Sequence, residues 1–137
     1  MAESSKVPKV SSPLPGTTPE QRVHIAVCLA AYAQGSSPER ADERIASKAL
    51  MDLLAAIAPG NSVEFRVPPF AAAQVVEGIR HRRGNPPATV ECDSRTFIEL
   101  ATGVTDWEAA TGSGRLIASG ERSDLSGLFP ILFMPLG

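Results

Sequence analysis

Polar side chains of several kinds are concentrated between positions 64 and 93, in a stretch whose other residues are mainly apolar or form turns. The set comprises Glu64, Arg66, Gln74, Glu77, His81, Arg83, Glu91 and Asp93. Carboxylates, an imidazole and guanidinium groups on one surface are suited to binding an anionic head group, or to general acid–base chemistry. The alternative interpretation is a network of ion pairs across neighbouring strands, combined with turn chemistry, which needs no ligand.

Catalytic motifs do not accompany these residues. The sequence shows no nucleophile elbow, no Ser-His-Asp ordering, no glycine-rich phosphate loop and no metal-ligand spacing. We therefore assign no catalytic residue and no metal ligand from the motifs. An enzyme that uses Glu64, Glu91 or His81 is kept as a third hypothesis. His24 lies in a helical pattern and is expected to be structural.

The basic run from Arg80 to Arg83 is the strongest local positive charge in the chain. Such a run can hold phosphate, carboxylate or nucleic acid, or it can be an exposed turn with no ligand. The whole chain has a formal charge of −2 and an aromatic content of 5%. Because nucleic-acid surfaces usually combine basic charge with stacking aromatics, we expect no nucleic-acid partner.

The elements that position these residues are predicted from hydrophobic spacing. Val63, Phe65 and Val67 alternate with charged residues, which is typical of a strand with one buried face. Pro68-Pro69 interrupts pairing, and a second strand is predicted between Phe70 and Ile79. The turn at 84–87 leads to a third strand over 89–93. Three strands in about thirty residues predict a meander or a closely related antiparallel arrangement.

Helices flank this sheet in the sequence. Thr18, Pro19 and Gln21 form a capping-box signal for a first helix that ends at Gly35. A second helix starts after 36–39 and ends at 59–60, with Ile45, Ala49, Leu50, Leu53, Leu54 and Ile57 as its apolar stripe. Further elements are a helix from 93 or 94 to Gly103, a helix opened by a capping box at 105–108, a strand over 115–119 and a short helix over 123–129. This order predicts an α+β fold, with helices on one face of a mostly antiparallel, four- to five-stranded sheet.

Length and composition indicate one cytoplasmic domain. The chain has 137 residues, of which 43% are hydrophobic and 20% charged, which is ordinary for a globular protein. Residues 1–16 are rich in Ser and Pro and are expected to form a disordered tail, so the domain covers 17–137. Cys28 and Cys92 lie among apolar neighbours and are expected to be buried free thiols in a reducing compartment. No apolar stretch reaches the roughly 20 residues of a membrane-spanning helix.

Many of these positions also carry a family likeness. They are Ala58-Pro59-Gly60, Val63-Glu64, Arg66-Val67-Pro68-Pro69, Gln74, His81, Arg83-Gly84, Pro86-Pro87, Val90-Glu91, Asp93, Leu100-Ala101, Gly103, Trp107, Gly114, Ser119-Gly120, Arg122 and Asp124-Leu125. The chain resembles the sterol carrier protein-2-like superfamily, and most closely its small bacterial, chiefly actinobacterial, members. The likeness runs from about Ala49 to Leu132. The chain departs from the eukaryotic members by an extra N-terminal helix, by a charged cluster on the strands, and by the absence of a peroxisomal tail.

The resemblance implies helices over a twisted sheet that enclose an apolar tunnel for lipids, without a cofactor or a catalytic group. On this basis the expected ligand is a sterol, fatty acid, acyl-CoA or other hydrophobic molecule. Expected apolar contacts are Phe97, Leu100, Leu116 and Phe129, although any packed core would need the same residues. Expected polar contacts are Arg66, Gln74, His81 and Arg83. The alternative function is an accessory module that binds a protein or an anionic metabolite and has no lipid tunnel. The sequence does not indicate the oligomeric state.

Overall fold

A computed structural model describes residues 16–78 and 88–131. The described part contains four α-helices and four strands, in an α+β arrangement as the sequence predicts. In chain order the elements are α1 (Pro19–Ala33), α2 (Arg40–Ile57), β1 (Val63–Val67), β2 (Ala71–Val75), β3 (Ala88–Cys92), α3 (Ser94–Thr102), α4 (Trp107–Gly112) and β4 (Leu116–Ser119). A single 3₁₀ turn, Ser126–Leu128, follows β4 where the sequence predicted a longer helix. The predicted disordered tail lies almost wholly outside the described residues.

The sheet is mixed, with the strand order β2-β1-β3-β4. β1 pairs antiparallel with β2, and β3 pairs antiparallel with β4. β1 and β3 are parallel, with Phe65 opposite Val90. The predicted meander is therefore wrong, because β3 lies beside β1 and not beside β2. Alternation of apolar residues identifies which face of a strand is buried, but the same alternation fits either neighbour.

Helix boundaries follow the capping residues closely. The Thr18 hydroxyl accepts a hydrogen bond from the Gln21 amide, and the Gln21 side chain accepts one from the Thr18 amide. The Asp93 carboxylate accepts the Thr96 amide, and Gly103 ends α3 with a left-handed φ of 85°. The cap of α4 is Asp106, which accepts the Ala109 amide, and not Thr105 as its position in the sequence suggested. These caps fix the starts of α1, α3 and α4 and the end of α3.

All the helices lie on one face of the sheet. The residues of that inner face are buried in the strands, among them Val63, Phe65 and Val90, each fully buried. They join the apolar faces of the helices in one core that includes Ile25, Leu50, Leu54, Phe97, Ile98 and Leu100. Arg66, Gln74, Glu91 and Ile117 alternate with the inner residues and are exposed. The outer face of the sheet, defined by such residues, is therefore open to solvent.

The loop between α2 and β1 closes tightly over the end of β2. The Val76 amide donates to the Ala58 carbonyl at 2.7 Å, and the Val76 carbonyl accepts from the Ser62 amide and hydroxyl. Gly60 has a φ of 148°, and a Cβ at this position would lie 2.2 Å from the Val76 carbonyl carbon. Because only glycine fits this approach, Gly60 determines how α2 is joined to the sheet.

Candidate functional site

The polar residues predicted from the sequence do not all lie on one surface. Arg66 lies on the outer face of the sheet, where its Nη2 and Nε donate to Glu64 Oε1 at 2.7 and 3.0 Å. A second carboxylate, Glu91, lies 3.7 Å from Arg66 Nη1. Hydrogen bonding to Glu64 raises the pKa of the exposed Arg66 guanidinium further above its ordinary value. This arrangement is the cross-strand ion-pair network that the sequence left as the alternative interpretation.

The other members of the polar set are spread more widely. Gln74 lies opposite Glu64 in the β1–β2 register and is exposed on the same outer face. Asp93 is not part of that surface, since its carboxylate caps α3. The sheet lies between the Arg66 and Gln74 side chains and the space that separates it from the helices. His81 and Arg83 lie outside the described residues.

The predicted apolar residues occupy the core and its boundary. Phe97 and Leu100 are fully buried in α3, and Leu116 is 2% exposed in β4. Phe129 is only partly buried and packs on the edge of this core. Three of the four residues are therefore interior side chains, and the fourth connects the interior with the surface.

Four aromatic rings form a continuous row through the core, in which Trp107 is 9% exposed and Phe129 is partly buried. The Trp107 and Phe129 rings are stacked with centroids 5.8 Å apart. Phe129 in turn lies 6.1 Å from Phe65, and Phe65 lies 5.3 Å from Phe97. Ring pairs at these separations attract one another beyond simple burial of area. The row begins at α4 and ends between α3 and the inner face of the sheet.

An open cleft lies at the outer end of this aromatic row. Its volume is about 350 Å³, and its lining residues are Thr105, Asp106, Trp107, Glu108, Ser126, Phe129 and Pro130. The volume lies within the range of roughly 300–1,000 Å³ that is usual for small-molecule sites. The sequence analysis identified Phe129 but missed the rest of this cleft. Trp107 was the available signal, because it is the only tryptophan in the chain and it follows a helix cap.

A second polar cluster joins the first three helices, and the sequence analysis missed it as well. The Tyr32 hydroxyl donates to Glu43 Oε2 at 2.5 Å, and the Ser94 hydroxyl donates to the same oxygen at 3.1 Å. Nearby, His24 Nδ1 and Asp42 Oδ1 are 2.7 Å apart. The spacing of the apolar stripe gave no sign of this cluster, because its members come from three separate helices.

The chemistry of this helical cluster is that of a structural contact. Burial and the neighbouring Glu43 and Asp42 carboxylates raise the pKa of the Cys28 thiol to about 12. Burial and the hydrogen bond to Glu43 also raise the pKa of Tyr32. A thiol with so high a pKa is protonated at neutral pH, and the nucleophilic form of cysteine is the thiolate. Cys28 is therefore a buried, unreactive group that packs α1 against α2, and the two cysteines are free and buried as predicted.

Across residues 16–78 and 88–131, no helix combines the length and the apolar character that crossing a bilayer demands. The same ranges contain no group of three or more His, Cys, Asp or Glu side chains arranged to hold a metal ion.

A comparison with models of protein families gives a match to this chain. A family model described as "Bacterial SCP ortholog" matches residues 39–131. The matched range begins at the residue before α2 and includes the whole sheet, the aromatic row and the cleft, whereas α1 lies outside it. No curated protein matches the chain.

Proposed function

Because the chain belongs to the bacterial SCP ortholog family, a sterol carrier protein-like family, we propose that it is a non-enzymatic carrier of a hydrophobic ligand. The family suggests a lipid-binding role at a coarse level, and its members are generally non-catalytic. The finer proposal is that a hydrocarbon chain binds between the helices and the inner face of the sheet. Buried free thiols at Cys28 and Cys92 support a reducing, cytoplasmic setting.

The aromatic row is the observation that carries this proposal. It links an open cleft to the core through Phe129, the one partly buried ring of the row that lies between Trp107 and Phe65. Protein interiors are close-packed, so a ligand chain must displace side chains as it enters. Phe129 is the ring best placed to move, because Phe65 and Phe97 beyond it are fully buried. We therefore assign the cleft as the mouth of the site, and Phe97, Leu100 and Leu116 as apolar contacts further inside.

Intrinsic fluorescence provides a direct test, because Trp107 lines the cleft and is the only tryptophan. We propose titrating the protein with straight-chain alkanols of increasing length, each below its solubility limit in water, and following Trp107 emission. Burial of one methylene contributes about 0.8 kcal/mol, so each added methylene should tighten binding about fourfold until the site is filled. Saturable binding with this dependence supports the carrier function. Binding that does not saturate, or that does not depend on chain length, contradicts it.

A matched pair of variants tests the position of the mouth. Ser126→Phe adds a ring at an exposed position in the cleft, while Ser119→Phe adds the same ring on the outer face of the sheet. Neither change touches a buried core residue or introduces a second tryptophan. We expect Ser126→Phe to weaken alkanol binding at least about tenfold, because a ring fills a large part of a small-molecule mouth, and Ser119→Phe to leave binding unchanged. Equal affinities for the two variants would place the entrance elsewhere.

One observation favours a second candidate function. Ile117 is 64% exposed on the outer face of the sheet, in register with Glu91, which in turn is in register with Arg66. An exposed apolar side chain beside paired charges is common on surfaces that bind protein partners. An accessory interaction module using this outer face becomes the preferred function if no alkanol binds saturably.

A further inference from the structure

The proposed mouth of the site has a one-sided charge distribution. Two of its lining residues, Asp106 and Glu108, are acidic, and no Lys, Arg or His is among the described residues that line it. Fatty acids and acyl-CoA carry anionic groups, which two carboxylates would repel. The charge at the mouth therefore bears on which hydrophobic ligands the site accepts.

Both carboxylates have acceptor capacity to spare. Asp106 Oδ1 accepts the Ala109 amide at 2.8 Å and so caps α4, which leaves its second oxygen unused by this bond. Glu108 is exposed, and within the described part of the chain no hydrogen bond or ion pair engages its carboxylate. A ligand group that donates hydrogen bonds or carries positive charge would find two acceptors at the mouth.

The positive end of the α4 helix dipole does not outweigh the negative charge of the two carboxylates. A helix N-terminus is equivalent to roughly half a positive charge, and short helices approach this value incompletely. Asp106 and Glu108 are at the same end of α4 and each supplies a full negative charge. The net field at the mouth is therefore negative, and it attracts cations.

Aromatic rings add a second feature that favours cations. Trp107 and Phe129 are stacked with an angle of 28° between their planes, so each ring covers one face of the other, and both line the cleft. Trp107 is only 9% exposed and Phe129 is partly buried, so Phe129 offers the more accessible ring, and the faces of aromatic rings attract ammonium groups. Stacked rings next to carboxylates are a combination suited to a quaternary ammonium head group.

We propose that the preferred ligand is an amphiphile with a cationic amine or quaternary ammonium head group, and not a free fatty acid. This inference rests on the proposed carrier function: the hydrocarbon chain enters along Phe129, and the head group stays in the cleft between Trp107, Asp106 and Glu108. Asp106 and Glu108 thereby select the ligand, a role that neither the family match nor their positions at the start of α4 imply.

Three probes of equal chain length test the proposal: decyltrimethylammonium, decanol and decanoate. Decanol is used below its solubility limit and the two ionic probes below their critical micelle concentrations, and binding is followed by Trp107 emission. Exposed charge pairs contribute up to about 1 kcal/mol, which is about fivefold in affinity. We expect the cation to bind about fivefold more tightly than decanol, and decanoate to bind more weakly than decanol. Added salt should reduce these differences, because it screens exposed charges.

Charge-removing variants complete the test. Glu108→Gln should reduce the ratio of cation affinity to decanol affinity about threefold to fivefold. Glu91→Gln, which removes a carboxylate from the outer face of the sheet, should leave this ratio unchanged. Decanoate affinity equal to or above that of the cation, or an unchanged preference in Glu108→Gln, would overturn the inference and leave the carrier function standing. If none of the three probes binds saturably, the carrier function fails and the inference fails with it.

Discussion

At the scale of single residues, protonation distinguishes structural from chemical roles. Burial raises the pKa values of Cys28 and Cys92 to about 12, with Glu43 and Asp93 as the leading carboxylates that add to the effect. Both thiols therefore stay neutral in the folded protein under conditions in which an exposed thiol begins to ionise. Neither cysteine is poised for nucleophilic or redox chemistry, and both act as small apolar side chains in the core.

The thiols predict a specific alkaline sensitivity. The ordinary pKa of a thiol is 9, and the pKa of the folded Cys92 thiol is about 12. Between these two pH values an unfolded thiol loses its proton while the folded thiol keeps it. The unfolded state then binds fewer protons than the folded state. The contribution of the protonated thiols to the free energy of unfolding is therefore complete below this pH window and is lost as pH rises through it. Urea titrations at several pH values should show this loss of stability, and the loss should be smaller in Cys92→Ala.

Burial of the thiols also predicts slow chemical modification. A thiol reagent at pH 8 should modify the native protein only as fast as the protein unfolds around its cysteines.

Arg66 provides a residue-scale prediction for the outer face of the sheet. It is exposed and pairs with Glu64 and Glu91, so the network around it is solvated and weak. Arg66→Gln should leave the melting temperature unchanged within about 2 °C, and should also leave alkanol binding unchanged, because the sheet separates Arg66 from the cleft. A loss of ligand affinity in this variant would show that the site extends to the outer face.

At the scale of elements, the local sequence signals were sufficient to place most helices and strands. Thr18, Asp93 and Gly103 each occupy the capping positions that their residue types favour. Strand pairing was not predictable in the same way, because β1 and β3 are neighbours without being consecutive in sequence. Sequence spacing records the face that a strand buries, whereas the choice of neighbouring strand depends on contacts between segments that are distant in sequence.

The junction of α2 and the sheet depends on one glycine. Gly60→Ala would place a methyl group 2.2 Å from the Val76 carbonyl carbon, so the loop must shift and break the hydrogen bonds that hold the end of β2. We expect a loss of about 2–4 kcal/mol in the free energy of unfolding, measured by urea denaturation. Gly112→Ala is the matched control, since nothing lies within 4 Å of the added methyl group and α4 is a helix. A neutral Gly60→Ala variant would contradict the tight closure.

The extra helix α1 is predicted to be an integral part of the domain. Ile25 is fully buried in the core, whereas Val23 on the same helix is 58% exposed. α1 therefore turns Ile25, Cys28 and Tyr32 towards α2 and α3 and leaves Val23 facing solvent. Ile25→Ala should lower the free energy of unfolding by about 2–5 kcal/mol, and Val23→Ala by less than about 0.5 kcal/mol. Equal effects would mean that α1 is not packed as described.

At the scale of the whole molecule, function depends on features that are distant in sequence. The cleft combines the start of α4 with the segment after β4, and the aromatic row adds β1 and α3. Sequence alone identified Phe97 and Phe129 as candidates, but it did not show that Phe65 and Trp107 join them in one row. The polar candidates Arg66 and Gln74 were recognised as sharing one face, yet only the position of the helices shows that this face points away from the core.

The central claim is that this fold carries a hydrophobic ligand, and native mass spectrometry of freshly purified protein tests it most directly. The account predicts a fraction of molecules that carry one lipid-sized mass, released on denaturation and identifiable in the extract. It also predicts that Ser126→Phe retains less of this mass than Ser119→Phe, because the first variant fills the mouth. Detection of the ligand-free mass alone, together with no saturable uptake of decanol or decyltrimethylammonium by the same preparation, would contradict the claim.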